Sequence, residues 1–309
     1  MRAARGGGPE TGAGPDGAEL LAAGKAFVDL SSWRKVGVSG TEALSWLQDL
    51  VTADLRDLAP GRARQALLLS PTGRVRAAFT VAVPGGSVLL LQDPAQPSVG
   101  DLLAPYVLSS DVRLDDRTEE LALFAFPGLE AEPSAPGTAA SSPSCLGAGV
   151  DLLALAEDHD SLLASLSRAY RLAGPEDLEV WRVRAGLPRL GVDVTEEDLP
   201  WEGGLEGAVA LDKGCYLGQE AVARVRNLGH PRRLLLALEA DAPVAAGEPV
   251  VAEADEVGRV TSAAPAPGGT GTLLLARVRW EARDLPLRTR GGTELRPRPA
   301  AAPRGAAGR

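Results

Sequence analysis

Residues 212–220 read DKGCYLGQE, and this stretch carries most of the interpretation below. The chain has two Cys, two His and three Lys in 309 residues, so a Lys and a Cys separated by one Gly are not expected from composition. A thiol reacts as its thiolate, which a nearby ammonium or helix N-terminus favours. We therefore predict Cys215 as the functional thiol, Lys213 as the cation that lowers its pKa, and a helix that opens at Gly218-Gln219 and faces the thiol.

The residues around the thiol are predicted to support this site. Gly214 and Gly218 would let the backbone take tight or left-handed conformations. A cluster of arginines that follows the thiol suits an anionic ligand such as a carboxylate. The supporting set is Gly214, Tyr216, Gly218, Gln219, Glu220 and Arg224. The residues also permit another interpretation, in which Cys215 is a small buried hydrophobe in a Gly-rich turn and Lys213 reaches solvent.

Other thiol and metal chemistries have weaker support. A Cys–His pair would need His159 or His230, neither of which is adjacent to Cys215 in sequence. A structural zinc site takes about four ligands and a cysteine-bound iron–sulfur cluster takes four Cys, so we expect no metal bound by this chain alone. Cys145 lies in a Ser/Pro-rich stretch and is interpreted as incidental.

Composition excludes several classes of protein. The net charge of −9 argues against nucleic-acid binding, which needs a basic surface. No run of 18 apolar residues predicts a membrane helix. The first 17 residues lack an apolar core of a signal peptide, and two Cys suit a reducing compartment, so a cytoplasmic protein is expected.

The pattern along the chain predicts five segments. Residues 1–17 are interpreted as a disordered leader, 18–117 as a first α+β domain, and 118–230 as a second α+β domain that ends in the motif. Short, separated strands over 231–286 predict a small β-barrel. The remaining residues, 287–309, are basic and rich in Pro, Gly and Ala, which predicts a disordered tail.

Periodicity and turn residues predict individual elements inside these segments. Helices are expected at 42–51, 97–108, 159–173 and 175–186. A hairpin is expected from 63–69 and 74–83, and a loop or insertion at 128–144.

The octapeptide at Lys213–Glu220 resembles the K-G-C-Y-x-G-Q-E signature of the YgfZ-type folate-binding proteins, which assist iron–sulfur cluster assembly or repair. The likeness continues through RVRAGLP at 182–188 and LPWE at 199–202. The segment from Val28 to Val75 is similar to the aminomethyltransferase (glycine-cleavage T protein) fold that this family shares.

The resemblance implies a fold, a ligand and partners. The fold would be α+β, with two folate-binding α+β domains and a C-terminal β-barrel. The ligand would be tetrahydrofolate or a derivative, with Arg182 and Trp201 at its site and Cys215 at its edge. The partners would be iron–sulfur client or assembly proteins, and the chain would act as a monomer without nucleic acid or membrane.

Three departures from the family pattern bear on activity. Ala78 stands where aminomethyltransferases carry an Asp that assists the folate-linked chemistry, and a methyl group is not a base. Arg184 replaces a Glu that contacts the pterin, so a donor would replace an acceptor. Leu228 replaces an Arg of the signature. These departures favour a non-enzymatic accessory factor over a folate-dependent aminomethyl transferase, and they leave open a scaffold protein that has lost folate.

Overall fold

The computed structural model describes residues 16–133 and 140–299, except the side chains of 226–228. Within these ranges the helices are α1 Gly17–Ala22, α2 Ala43–Leu50, α3 Val99–Leu103, α4 His159–Leu166, α5 Pro175–Ala185 and α6 Gln219–Leu228. The strands are β1 Ala26–Asp29, β2 Arg34–Ser39, β3 Ala63–Leu69, β4 Val75–Ala82, β5 Val88–Gln92, β6 Arg113–Asp116, β7 Leu121–Phe126, β8 Ala140–Pro143, β9 Val150–Leu155, β10 Arg171–Ala173, β11 Arg233–Ala240, β12 Pro249–Ala252, β13 Asp255–Pro265, β14 Thr272–Arg279, β15 Leu287–Thr289 and β16 Glu294–Pro297.

Two five-stranded sheets form the first two thirds of the chain. The first sheet has the order β3-β4-β5-β2-β6, and its described strand pairs are antiparallel. Helix α2 covers it, because Ala43, Trp46 and Leu47 recur at helical spacing and are all buried. The predicted helix at 42–51 and the hairpin of β3 and β4 are thus confirmed.

The second sheet has the order β10-β1-β7-β9-β8. Strand β1 runs antiparallel to β7 and parallel to β10, with Ala26 opposite Arg171. Apolar side chains from both sheets meet in one cluster that includes Val28, Ala82, Leu91 and Leu123. The two sheets therefore pack face to face around a shared core.

Helix α1 and strand β1 fall within the predicted first domain in sequence, but they lie in and against the second sheet. The domain boundary at residue 117 stays a prediction. The leader prediction concerned residues 1–15, which lie outside the described residues, and Asp16 with Gly17. Asp16 caps α1, because its side chain accepts a hydrogen bond from the Glu19 N–H at 2.8 Å.

Three predicted elements differ from the structure. The helix expected at 159–173 ends at Leu166, and 171–173 form β10 because they pair with β1. The helix expected at 97–108 is the short α3, followed by a 3₁₀ turn at 104–106. The loop expected at 128–144 contains β8, while its residues 134–139 lie outside the described part of the chain.

The C-terminal unit is a closed barrel of six strands, β11-β14-β13-β12-β15-β16, as predicted. The disordered tail predicted from 287 is wrong up to residue 299. Strands β15 and β16 close the barrel, since Leu287 and Leu295 are buried in its core and pair with each other. Residues 300–309 of that prediction lie outside the described residues.

None of the helices in the described ranges has the length and apolar character needed to span a bilayer.

Candidate functional site

A cavity of about 680 Å³ lies between the two sheets. Its walls come from β3, β4 and the end of β5 on one side, and from β1, β10 and α5 on the other. Most lining side chains are apolar, and Trp33, Phe79 and Trp181 contribute aromatic surface. This volume and this lining are typical of a pocket for a small organic ligand.

Helix α5 brings a polar group of residues into the cavity. Pro175 starts the helix, as predicted, and Gly186 ends it in the left-handed conformation with φ of 76°. Leu178, Glu179 and Arg182 follow at helical spacing on the face that lines the cavity.

Ala78 lines the cavity from β4. Its backbone N–H donates to the Oε1 atom of Gln96 at 2.9 Å, and Gln96 lines the same wall. The cavity wall therefore carries the Ala78 methyl group and the Gln96 side-chain amide at this point.

Arg182 lines the cavity, but its donors are taken by the protein. Its Nη1 atom donates to Asp193 at 2.7 Å and to the Leu187 carbonyl at 3.1 Å. Its Nε and Nη2 atoms both donate to Glu179, and Nη2 also donates to Ser262 at 2.9 Å. A guanidinium has five N–H groups, so this network commits all of them. Arg182 braces the site and has no donor left for a ligand in this arrangement.

Arg184 and Trp201 lie elsewhere than expected. The guanidinium of Arg184 pairs with Asp16 at 2.7 Å and donates to the Pro265 carbonyl at 2.8 Å, and Arg184 does not line the cavity. The arrangement therefore does not bring the Arg184 guanidinium to the cavity wall, where the resemblance implied that it would meet a pterin. Trp201 packs, partly buried, in the cluster behind the cavity wall and is not among the lining residues.

The lining residues of the cavity include three acidic ones: Asp29, Asp93 and Glu179. Asp93 accepts a hydrogen bond from Nε of Arg189 at 2.9 Å, and Glu179 is paired with Arg182. Asp29 has a different partner, since its Oδ2 atom lies 2.8 Å from Nε2 of His159.

The sequence analysis missed a second thiol at this site. Cys145 is buried and lines the cavity, and its N–H donates to Asp151 at 2.7 Å. Burial raises the pKa of Asp151 to about 6 and raises the pKa of the Cys145 thiol, so that thiol stays protonated and unreactive. The Ser144-Cys145 pair, facing an Asp across a short hairpin, was the signal in the sequence.

The motif loop carries Cys215 on the surface. Cys215 is exposed, and it does not line the cavity. The buried-hydrophobe interpretation of this residue is therefore wrong. Of the two glycines expected to allow a tight or left-handed backbone, Gly218 is left-handed with φ of 81° and precedes α6, the predicted helix, while φ of Gly214 is not positive. Glu220 and Arg224 are exposed on α6.

The Lys213 ammonium binds backbone carbonyls. It donates to Gln48 at 2.7 Å, and to Val51 and Ala53 at 2.6 Å each. These bonds use all three N–H groups of an ammonium, so none is left for the Cys215 thiolate. Burial lowers the pKa of Lys213 to about 8. The ammonium that we predicted to lower the pKa of Cys215 thus binds carbonyls at the end of α2.

Tyr216 connects the motif to the cavity wall. Its side chain is buried in a cluster with Leu67, Leu190 and Ala208, all of which line the cavity. Its N–H donates to Oε1 of Gln219 at 3.3 Å, and its ring lies 5.3 Å from the Lys213 ammonium. A displacement of the cavity wall would therefore also displace Tyr216, the residue next to Cys215, because the two are closely packed.

The two histidines have partners outside the motif. His230 stacks on Trp280 with ring centroids 4.8 Å apart, and His159 binds Asp29. The structure thus supplies no Cys215–His pair among these contacts.

Comparisons with known proteins agree with this architecture. Residues 18–134 match the GCVT N-terminal domain family. A chloroplastic protein of Arabidopsis thaliana, named provisionally as a transferase, is 25% identical over 290 residues, which are 85% of this chain and 67% of that protein. The aminomethyltransferase of Rubrobacter xylanophilus is 29% identical over 305 residues, which are 89% of this chain and 80% of the enzyme.

A solved structure supports the same fold. The crystal structure of the glycine cleavage system aminomethyltransferase T from Bartonella henselae superposes with a TM-score of 0.76, covering 91% of this chain and 87% of that one. Sequence identity in that comparison is 17%, so it speaks for the fold alone. The chain therefore has the aminomethyltransferase-like α+β fold, and its residues 18–134 are similar to the GCVT N-terminal domain.

Proposed function

We propose that this protein binds tetrahydrofolate or a derivative in the cavity between its sheets and serves as an accessory factor for iron–sulfur cluster assembly or repair, with Cys215 as its functional thiol. The observation that carries the proposal is the buried contact of Tyr216 with the cavity wall, because it joins a ligand-sized cavity to the exposed thiol. The iron–sulfur role rests on the resemblance of Lys213–Glu220 to the YgfZ-type signature.

The residues of the cavity suit a reduced folate. The aromatic side chains of Trp33 and Trp181 offer flat apolar surface for the bicyclic ring and the aminobenzoyl group. The carboxylates that line the cavity are acceptors for the ring's N–H groups. When bound, tetrahydrofolate would supply a carrier for one-carbon units; the protein's residues would bind and orient it.

Cys215 would act toward a partner protein. Its exposure lets a cysteine or sulfur of another chain approach it, whereas the cavity ligand does not reach a residue outside the lining. The iron–sulfur clients or assembly proteins implied by the motif would therefore meet the outer surface of the motif loop.

Two measurements test the proposal. Calorimetric titration with tetrahydrofolate, kept anaerobic, should show saturable binding at micromolar ligand. In a strain that lacks its own factor of this type, the wild-type chain should restore the activity of iron–sulfur enzymes and Cys215→Ser should not. Asp212→Asn is the control, because it changes an exposed neighbour of the motif, keeps the Cys215 thiol and should complement normally. Equal complementation by Cys215→Ser and wild type would remove the thiol from the function.

The second candidate is aminomethyl transfer, which the names of the relatives favour. Ala78 argues against it because this wall lacks the acid. Turnover to methylene-tetrahydrofolate in a direct assay would establish the transferase in place of the accessory role. The third candidate is a scaffold that has lost folate, and the absence of heat with tetrahydrofolate would favour it.

A further inference from the structure

The chain passes from the second sheet to the first through a short turn that lines the large cavity. Strand β1 of the second sheet ends at Asp29, and β2 of the first sheet begins at Arg34. Ser32 and Trp33, which lie between these two strands, are among the lining residues of the cavity. The conformation of this turn therefore determines where the Trp33 side chain meets the space between the sheets.

A buried lysine holds the turn. Lys35 has 0% of its surface exposed. Its ammonium donates to the carbonyl oxygens of Ser31 and Trp33 at 2.7 Å each. Burial lowers the pKa of Lys35 to about 8. At pH 7 the group is therefore still a charged donor, and a charged donor forms stronger hydrogen bonds to carbonyl oxygens than a neutral one does.

The lysine side chain starts on the face of β2 that meets the second sheet. Lys35 lies directly opposite Leu91 in the pairing of β2 with β5, so the two side chains share one face of the first sheet. Leu91 is buried in the cluster where apolar residues of both sheets meet, and it also lines the cavity. The ammonium thus holds the turn from inside the molecule, where solvent cannot replace its hydrogen bonds.

Hydrogen bonds at both polar backbone groups fix the position of Trp33. Its N–H donates to the Leu30 carbonyl at 2.8 Å, which closes the turn of residues 30–33, and its carbonyl accepts from Lys35. The Trp33 side chain packs, partly buried, against the same cluster between the sheets, to which Trp181 also belongs. The direction in which the indole ring leaves the backbone is therefore set by these two bonds.

We propose that Lys35 is a positioning residue of the large cavity, which holds the 30–33 turn so that the Trp33 ring forms a stacking surface for a flat aromatic ligand. Aromatic contacts depend on the offset and the angle between the rings. Loosening the turn would therefore lower affinity without removing any group that contacts the ligand. The inference rests on the proposed function in taking a reduced folate as the natural ligand.

Calorimetry on the full chain at pH 7 tests the inference as a double-mutant cycle with two probes, tetrahydrofolate kept anaerobic and the aromatic dye 8-anilinonaphthalene-1-sulfonate. Lys35→Met and Trp33→Leu should each weaken tetrahydrofolate binding about three- to tenfold. The two losses should not add, so in the Trp33→Leu background Lys35→Met should change affinity by less than about 1.5-fold. Lys25→Met, at an exposed lysine, is the control and should bind as wild type does.

Fluorine NMR follows Trp33 without any ligand. In protein labelled with 5-fluorotryptophan, the resonance that is missing from Trp33→Leu identifies Trp33. Lys35→Met should shift or broaden this resonance and leave that of Trp46, which is buried in the core under α2, unchanged. Lys35→Gln keeps two N–H donors for the two carbonyls and should restore part of the signal and of the affinity.

The outcomes separate the two proposals. If neither tetrahydrofolate affinity nor the Trp33 resonance responds to Lys35→Met, this inference is overturned and the proposed function stands. Additive losses in the cycle also overturn it, because Lys35 would then act by another route than Trp33. Dye binding that depends on Lys35 through Trp33, without tetrahydrofolate binding, supports the inference and overturns the proposed function.

If neither probe binds, both proposals fall. If Lys35→Met does not fold, Lys35→Gln takes its place in the same cycle. Affinity and a Trp33 resonance equal to those of wild type in Lys35→Gln, or losses that add to those of Trp33→Leu, would then overturn the inference, whereas a smaller loss that disappears in the Trp33→Leu background would support it.

Discussion

The ammonium of Lys213 meets the carbonyl oxygens of Gln48, Val51 and Ala53, which lie in the last turn of α2 and in the chain just after it. Carbonyls at the end of a helix lack partners within the helix, and a cation there also meets the negative end of the helix dipole. Lys213 thus fastens the motif loop to the first sheet's helix. These three hydrogen bonds explain why a lysine occupies position 213, and they involve no contact with the Cys215 thiol.

Replacement of Lys213 by Met should destabilise the protein. Three carbonyl oxygens would lose a charged donor, and we expect the free energy of unfolding to fall by about 1–3 kcal/mol in urea titrations. Lys25→Met, at an exposed lysine, is the control and should change stability by less than about 0.5 kcal/mol.

The same two variants distinguish a purely structural role of Lys213 from a role in lowering the pKa of the Cys215 thiol. Alkylation of Cys215 with iodoacetamide, followed against pH, should keep its midpoint in Lys213→Met although stability falls. A midpoint that moves upward in Lys213→Met, but not in Lys25→Met, would restore the predicted role of Lys213 in lowering the thiol pKa.

Helix α6 meets the turn between β3 and β4 through two glycines. A Cβ on Gly218 would lie 2.4 Å from the Ser70 carbonyl oxygen, and a Cβ on Gly73 would lie 2.5 Å from the Cβ of Ala221. Both glycines have positive φ, 81° and 79°. The start of the helix next to Cys215 is therefore positioned by close backbone contact with the hairpin.

This contact predicts that two glycine substitutions in the same motif differ in their effect on stability. Gly218→Ala should lower the free energy of unfolding by about 1–3 kcal/mol, through backbone strain and the clash with Ser70. Gly214→Ala, where a new Cβ meets nothing within 4 Å and φ is not positive, should lie within about 0.5 kcal/mol of wild type. Equal urea midpoints for the two variants would show that the hairpin does not position α6.

Elements that local sequence determines were predicted correctly, whereas strands whose pairing partners lie far away in the sequence were not. Helix α2 and the β3–β4 hairpin were predictable because local periodicity and a turn determine them. Strand β10 was predicted as helix because its partner β1 lies far away in sequence. The Arg-rich segment of β15 and β16 was predicted as disordered because only Leu287 and Leu295, in register across the barrel, show its burial.

The candidate site could likewise be predicted only in part from the sequence. Ala78 was correctly marked as a position of interest, since it lines the cavity. The exposure of Cys215 was left open by the sequence, because a Gly-rich turn is compatible with a buried thiol as well as an exposed one. The contribution of Cys145 was not predictable, because strand pairing and the hydrogen bond to Asp151, and no sequence motif, place it beside the cavity.

At the scale of the whole molecule, one buried network joins the second sheet's helix to the barrel. Asp193 is fully buried, accepts from Arg182 at 2.7 Å, and also binds the Ser262 hydroxyl of β13 at 2.7 Å. Ser262 accepts from Arg182 in turn. The ion pair and its hydroxyl therefore set the barrel against α5, which lines the cavity.

Arg182→Met should be strongly destabilising, because it leaves the Asp193 charge buried without its cation. We expect a loss of about 3–5 kcal/mol in the free energy of unfolding. Arg56→Met, at an exposed pair with Asp54, is the matched control and should cost less than about 1 kcal/mol. Amide hydrogen exchange in β13 should also accelerate in Arg182→Met. Unchanged exchange and stability would show that the Arg182–Asp193–Ser262 network does not hold the barrel against α5.

The pairing of β1 has a consequence for biosynthesis. Because Ala26 aligns with Arg171, strand β1 can pair with β10 only after most of the second sheet has been translated. The GCVT-matching segment, translated only as far as residue 134, would lack β8, β9 and β10 and leave one edge of β1 unpaired. A nascent chain of that length would therefore expose a strand edge that β10 covers in the complete sheet.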